Sequence, residues 1–168
     1  MNMRKIVFFV IAMLSAPPIS FAEVKCTDRP ECWPEGSAMR TGLLRRQIEN
    51  ELRKQLEQTH KELVSLISTK EIIDGVEYFE DQRLVEAVEA QQKSWDQFKN
   101  RECELIGALS PGPMSAWQTA KAVECEVNLS NQRLKRMVHA IGCVKRVAPV
   151  DRKSCLYQLA PLAVPLEK

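Results

Sequence analysis

Apolar positions recur along this chain with the three-four rhythm of helices. Over residues 40–68, Leu44, Ile48, Leu52, Leu56, Leu63 and Ile67 fall at spacings of four and seven with no proline among them, which predicts one long helix with a single buried stripe. Glu49 and Arg53, four residues apart, read as part of its solvated surface. A second helix is predicted over residues 76–107, where Leu84, Val88, Gln91, Trp95, Phe98 and Glu102 keep the rhythm. Trp95 and Phe98 are expected in the core, because aromatic side chains bury a large apolar area. Gly107, Pro111, Gly112 and Pro113 then close one helix and open the next, glycine being favoured just past a helix and proline near a start. The third helix carries Trp117, Val123, Val127, Leu134, Met137, Val138 and Ile141, with Gly142 as its expected stop.

The flanking segments lack this rhythm. Residues 23–38 hold Pro30, Pro34, Gly36 and the closely spaced Cys26 and Cys32, an irregular arm whose Trp33 is placed to cover one end of a bundle. Residues 70–82 break at Asp74-Gly75 and carry Glu71, Asp74, Glu77, Glu80 and Asp81 with no base between Glu71 and Gln82. That run reads as a connection into a helix N-terminus, where the dipole favours acids, or as a docking patch for a cationic partner. After Cys143, Asp151 is expected to cap a short helix over residues 152–160, and Pro161 and Pro165 make the tail irregular. The expected fold is all-α: a disulfide-stapled bundle of about three long helices, a helical hairpin at its core, plus a short C-terminal helix. One domain spans 23–168, with 143–168 as a short disulfide-linked C-terminal element.

Residues 1–22 change the picture of compartment. Arg4 and Lys5 precede an apolar run from Ile6 to Leu14, and Ser20-Phe21-Ala22 follows; this is the form of a secretory signal peptide cut after Ala22, its apolar run too short to span a bilayer. A periplasmic or secreted protein with no membrane span is expected. Removing Arg4 and Lys5 leaves 22 of the 24 basic residues against 22 acidic ones, and a chain of balanced charge is a poor nucleic-acid binder. Charge is nonetheless uneven, with seven Lys and Arg against one Asp over residues 133–153.

Six cysteines, Cys26, Cys32, Cys103, Cys125, Cys143 and Cys155, argue for three disulfides in an exported chain. Pairing between sequence neighbours closes the shortest loops; a bond from the N-terminal to the C-terminal segment is the rival. No C-x-x-C pair is present and His60 and His139 are the two histidines, so no metal site or cofactor is expected. Phosphate loops, nucleophile elbows and zinc-protease motifs are missing as well, which leaves binding, rather than catalysis, as the expected activity.

Trp95, Phe98, Lys99 and Cys103, followed after a Gly/Pro turn by Cys125, Ser130, Arg133 and Leu134, form a pattern that resembles the core of the LprI-like lysozyme-inhibitor family. Phe98 stands where a Tyr is common there, and Lys99-Asn100 where Arg-Asp is common. The resemblance implies an exported, α-helical, disulfide-bonded domain that binds a protein partner, lysozyme or another cell-wall-degrading enzyme. Glu77, Glu80 and Asp81 would steer a cationic enzyme, and Ser110, Pro111, Gly112, Pro113 and Met114 would form a stiff plug for its cleft. Two other readings are an immunity protein against a delivered toxin and a structural envelope module without inhibitory activity. Among the motif residues, Arg133 is expected in a surface or inter-helix salt bridge with Glu102 or Glu104, and Ser130 as a helix-face hydroxyl. The oligomeric state is open.

Overall fold

A computed structural model of the chain describes residues 26–69, 71–73, 75–78, 82–111 and 116–160. The expected signal segment, the tail after residue 160, Glu80, Asp81, Gly112, Pro113 and Met114 lie outside them. Three long helices make the body: α1 (Ala38–Ile67), α2 (Gln82–Leu109) and α3 (Ala116–Val144). A short α4 (Arg152–Cys155) runs directly into a 3-10 turn at Leu156–Leu159. The fold is an all-α, disulfide-stapled bundle, as expected, with one small addition: an antiparallel hairpin of β1 (Glu71–Ile73) and β2 (Val76–Tyr78) joins α1 to α2.

Local chemistry sets the helix ends. Ser37, in extended conformation, accepts from the Arg40 amide at 3.2 Å and so starts α1, satisfying a donor that has no partner within the helix. At the other end the Ser68 hydroxyl donates to the Val64 carbonyl at 2.7 Å. The expected start of the second helix at residue 76 is wrong, and the hairpin explains why. Ile72, Ile73, Val76 and Tyr78 are strand formers, and Asp-Gly between them is a strong two-residue hairpin signal. Gly75 adopts φ +78°, and Ile73 pairs with Val76 across the turn.

α3 is the central helix, packing along both α1 and α2, while α1 and α2 touch each other little. α1 and α3 run in the same direction: Arg45 bonds the Ala120 carbonyl at 3.3 Å near their starts, and Lys145 pairs with Glu62 near their ends. The apolar core fills the half of the bundle nearer the hairpin. There Leu56, Leu63 and Ile67 of α1, Val85 and Val88 of α2 and Met137, Ile141 and Val144 of α3 meet Leu156 and Leu159. The other half closes through small residues. A Cβ on Gly42 would lie 3.6 Å from Ala120, and one on Gly107 would lie 3.1 Å from both the Ala122 Cβ and the Gln118 carbonyl.

Cysteines pair with their sequence neighbours: Cys26–Cys32, Cys103–Cys125 and Cys143–Cys155, with Cα separations of 5.5, 5.3 and 5.5 Å. The central one staples α2 to α3 in the small-residue half. Closing its 22-residue separation contributes about 3 kcal/mol if stabilisation is counted as lost unfolded-chain entropy. The last one holds α4 against the end of α3, and the first closes the arm, where the Trp33 Nε1 donates to the Cys26 carbonyl at 3.0 Å.

Several expected core and boundary positions fall elsewhere. Leu44 and Ile48 are exposed, because the inward line of α1 runs through Gly42, Arg45 and the buried Glu49 before reaching Leu52. Phe98 is 52% exposed, since Lys99, the next residue, takes the inward position; Trp117 and Val138 also face outward. Gly107 and Gly142 end nothing. Both lie inside helices, Gly107 as the point of closest approach to α3, Gly142 carried through by the burial of Ile141 and Val144 on either side, which outweighs roughly 1 kcal/mol of glycine propensity cost. Asp151 makes no side-chain cap; it belongs to a 3-10 turn, and its carbonyl accepts from the Ser154 hydroxyl at 2.7 Å.

Gly107→Leu is expected to lower stability by about 2 kcal/mol through overpacking, measured as a drop in the urea midpoint of the oxidised protein. An unchanged midpoint would mean that α2 and α3 do not meet as closely as this.

Candidate functional site

The residues that carry the family-like pattern come together in one cross-section of the bundle, between the apolar half and the small-residue half. Trp95 on α2 is its centre. The Lys99 ammonium and the Arg133 guanidinium stand over its ring at 5.5 and 5.6 Å from the centroid, within reach for cation–π attraction. Both cations are buried, Lys99 at 6% and Arg133 at 2% exposure, so each needs compensation. Leu134 packs on the apolar core, and the Cys103–Cys125 bond lies in the adjacent layer.

Arg133 is not in a salt bridge with Glu102 or Glu104. Its Nε donates to Gln92 Oε1 at 3.0 Å, one Nη donates to the Leu159 carbonyl at 2.8 Å, and the other donates to Gln91 Oε1. Gln91 Nε2 adds a 3.1 Å bond to the same Leu159 carbonyl. The guanidinium fork thus fixes the C-terminal turn onto α2 and α3. Burial pushes the Arg133 pKa down to about 10, with Arg136 adding repulsion and Asp96 opposing it. Ser130 is fully buried rather than on the helix surface, and its hydroxyl has no partner among the described residues.

Lys99 is answered from α1. The buried Glu49 lies 3.5 Å from its Nζ, and Arg46 faces Glu49 at 3.7 Å while bonding Glu126 of α3 at 2.5 Å. One polar chain therefore runs from α3 through α1 and α2 to the C-terminal turn. Sequence reading assigned the charges of α1 to a solvated surface and missed Glu49; its place three residues before Leu52 and seven before Leu56, on the buried line, was the available signal.

Where α1 and α2 touch little, a groove of about 470 Å³ opens between them, lined by Arg46, Arg53, His60 and Lys99 and by the acids Glu49, Glu57, Asp96 and Glu126. His60 is half-buried there. Desolvation holds its pKa below the ordinary 6.5, Arg133 adds to that, and Glu89, Asp96 and a backbone bond at Val88 oppose it. On the outer face of α2, Phe98, Leu105 and Leu109 form an exposed stripe, with Leu109 at 70%. Ile106 of α2 and Trp117 of α3 are also exposed, toward the α2–α3 link.

Of the residues expected to meet a partner, Glu77 contributes its backbone to β2 opposite Ile72, and Glu80, Asp81, Gly112, Pro113 and Met114 lie outside the described residues. Ser110 and Pro111 follow α2, and the Ser110 hydroxyl donates to the Ile106 carbonyl at 3.1 Å. Of the described members of these two groups, Glu77 precedes α2 and Ser110 follows it, so the backbone of one and the hydroxyl of the other stand at opposite ends of that helix. Among the described residues, no helix is long and apolar enough to cross a membrane, and no group of three or more His, Cys, Asp or Glu side chains is placed to hold a metal ion. Comparison with protein-family models, curated proteins and solved structures returns no match to this chain.

Two outcomes are expected. Arg133→Lys keeps the charge but not the fork, leaving buried acceptors unmet, and should cost about 2 kcal/mol in urea unfolding; a loss under about 0.5 kcal/mol would contradict the role given to the fork. For His60 the folded pKa lies below the unfolded one, so the unfolded state takes up the proton first as pH falls below 6.5. Stability should decline from neutral pH into that range and level off below the folded pKa, and His60→Leu should flatten the decline; an unaltered pH profile in the variant would exclude His60 as its source.

Proposed function

We propose that the chain is an exported inhibitor that binds a cell-wall-degrading enzyme, lysozyme first, by docking on its surface and occluding its cleft. Export is supported by three disulfides, which persist in oxidising compartments, and by the leader-like first 22 residues. The target class rests on the resemblance of the Trp95 to Leu134 pattern.

The observation that carries the binding part is the exposed apolar stripe of Phe98, Leu105 and Leu109 on a helix that the Cys103–Cys125 disulfide ties to α3. Exposed apolar surface on a stiff support marks an interaction site, and rigidity lowers the ordering cost of docking. The family-like residues face inward and act as the frame; the stripe and the adjoining turn from Ser110 are the contacting surface. The acidic segment with Glu77, Glu80 and Asp81 supplies steering toward a cationic enzyme.

The experiment is hydrolysis of peptidoglycan by lysozyme against increasing oxidised protein. Activity should fall and saturate near a fixed molar ratio, reduced protein should fail to inhibit, and Leu105→Asp should weaken inhibition by about tenfold or more with the fold intact. Absence of inhibition at large excess would reject lysozyme as the target, and full inhibition by Leu105→Asp would reject the stripe.

A further inference from the structure

We propose that the pocket between α2, α3 and the C-terminal turn binds a small amphipathic anion, a molecule with an apolar body and one acidic head. Enzyme inhibition does not call for such a site, and of the outer α2 stripe Phe98 alone borders it. The pocket has a volume of about 540 Å³, within the range of small-ligand sites. Trp95 and Phe98 of α2, Leu129 of α3 and Leu159 of the C-terminal turn give it apolar walls, and Arg133 and Arg136 of α3 give it charge. None of the described residues that line it is acidic.

The two arginines play different parts. Arg133 is buried and already committed to Gln91, Gln92 and the Leu159 carbonyl, so it contributes positive potential rather than a contact. Arg136 lies about one helical turn further along α3. It is half-buried, and among the described residues it has neither an ion pair nor a hydrogen-bond acceptor. It also repels Arg133, and the acid that opposes this repulsion, Asp96, lines the α1–α2 groove instead of this pocket. An anion seated against Arg136 would take charge-assisted bonds from its fork of N–H donors and offset the repulsion, while its apolar part displaced water from the walls. A cation would meet two like charges here, and a wholly apolar molecule would leave the fork unused. Apolar walls beside a guanidinium without an acceptor therefore select an amphipathic acid.

Calorimetric titration of the oxidised protein with octanoate beside 1-octanol, and with 2-naphthoate beside 2-naphthamide, tests the acidic head and separates an acyl chain from an aromatic ring as the apolar body. At least one acid should bind with a dissociation constant below about 1 mM, and its neutral counterpart should bind about fivefold more weakly or worse. Arg136→Gln should remove that preference without lowering the melting temperature, because it strips a partner from no described residue. Leu129→Trp, which fills the pocket, should weaken acid and neutral compound alike by about fivefold or more. If the Leu129 variant does not fold, Arg136→Gln decides the matter. Dissociation constants above about 1 mM for both acids, equal binding of acid and neutral compound, a preference that survives Arg136→Gln, or undiminished binding by a folded Leu129→Trp variant would overturn the proposal.

Discussion

Burying an ammonium and a guanidinium beside one indole is the constraint that the rest of this bundle answers. Neither cation can leave water without acceptors, and the acceptors come from every part of the fold. Glu49 is supplied by α1, Gln91 and Gln92 by α2, and the Leu159 carbonyl by the C-terminal turn. A helix sliding by one turn along its neighbour would leave a charge unpaired, so this layer sets register in a way that apolar contacts alone do not. It explains why a charged residue, Glu49, is buried on a helix whose other buried side chains, Leu52, Leu56, Leu63 and Ile67, are aliphatic.

Around that layer the bundle divides its labour. Toward the hairpin, large aliphatic side chains close an apolar core, and the Cys143–Cys155 bond holds the C-terminal turn where Arg133 needs it. Toward the α2–α3 link, small residues bring the helices close and Cys103–Cys125 replaces the apolar burial that is missing. The covalent bond lets the outer face of α2 keep Phe98, Leu105 and Leu109 in solvent without loosening the helix pair. Stiffness and stickiness coexist at that end, which is what a docking surface needs.

Much of the architecture was legible in the sequence: the apolar rhythm located three long helices, and short cysteine spacings indicated the pairing. What escaped depends on rotation and on turn chemistry. A shift of one residue, about 100° around a helix, put Lys99 inside and Phe98 outside, and spacing alone does not choose between neighbours when one is aromatic and the other can pair with a buried acid. The hairpin was hidden by reading Asp74-Gly75 as a break instead of a turn between strand formers. Gly107 and Gly142 looked like stops because glycine often ends helices, yet at Gly107 the missing Cβ admits α3. Of the site, Trp95, Lys99 and Arg133 stood out as a pattern, whereas Glu49, Gln91 and Gln92 became its partners only through tertiary placement.

The most direct measurement is a double-mutant cycle on Glu49 and Lys99, using Glu49→Leu, Lys99→Met and the pair in urea unfolding of the oxidised protein. Each single change should cost about 3 kcal/mol because it strands a buried charge, while the double variant should recover well over 1 kcal/mol of the summed loss. Losses that simply add would contradict the claim that a coupled, buried polar layer joins α1 to α2 and organises the bundle.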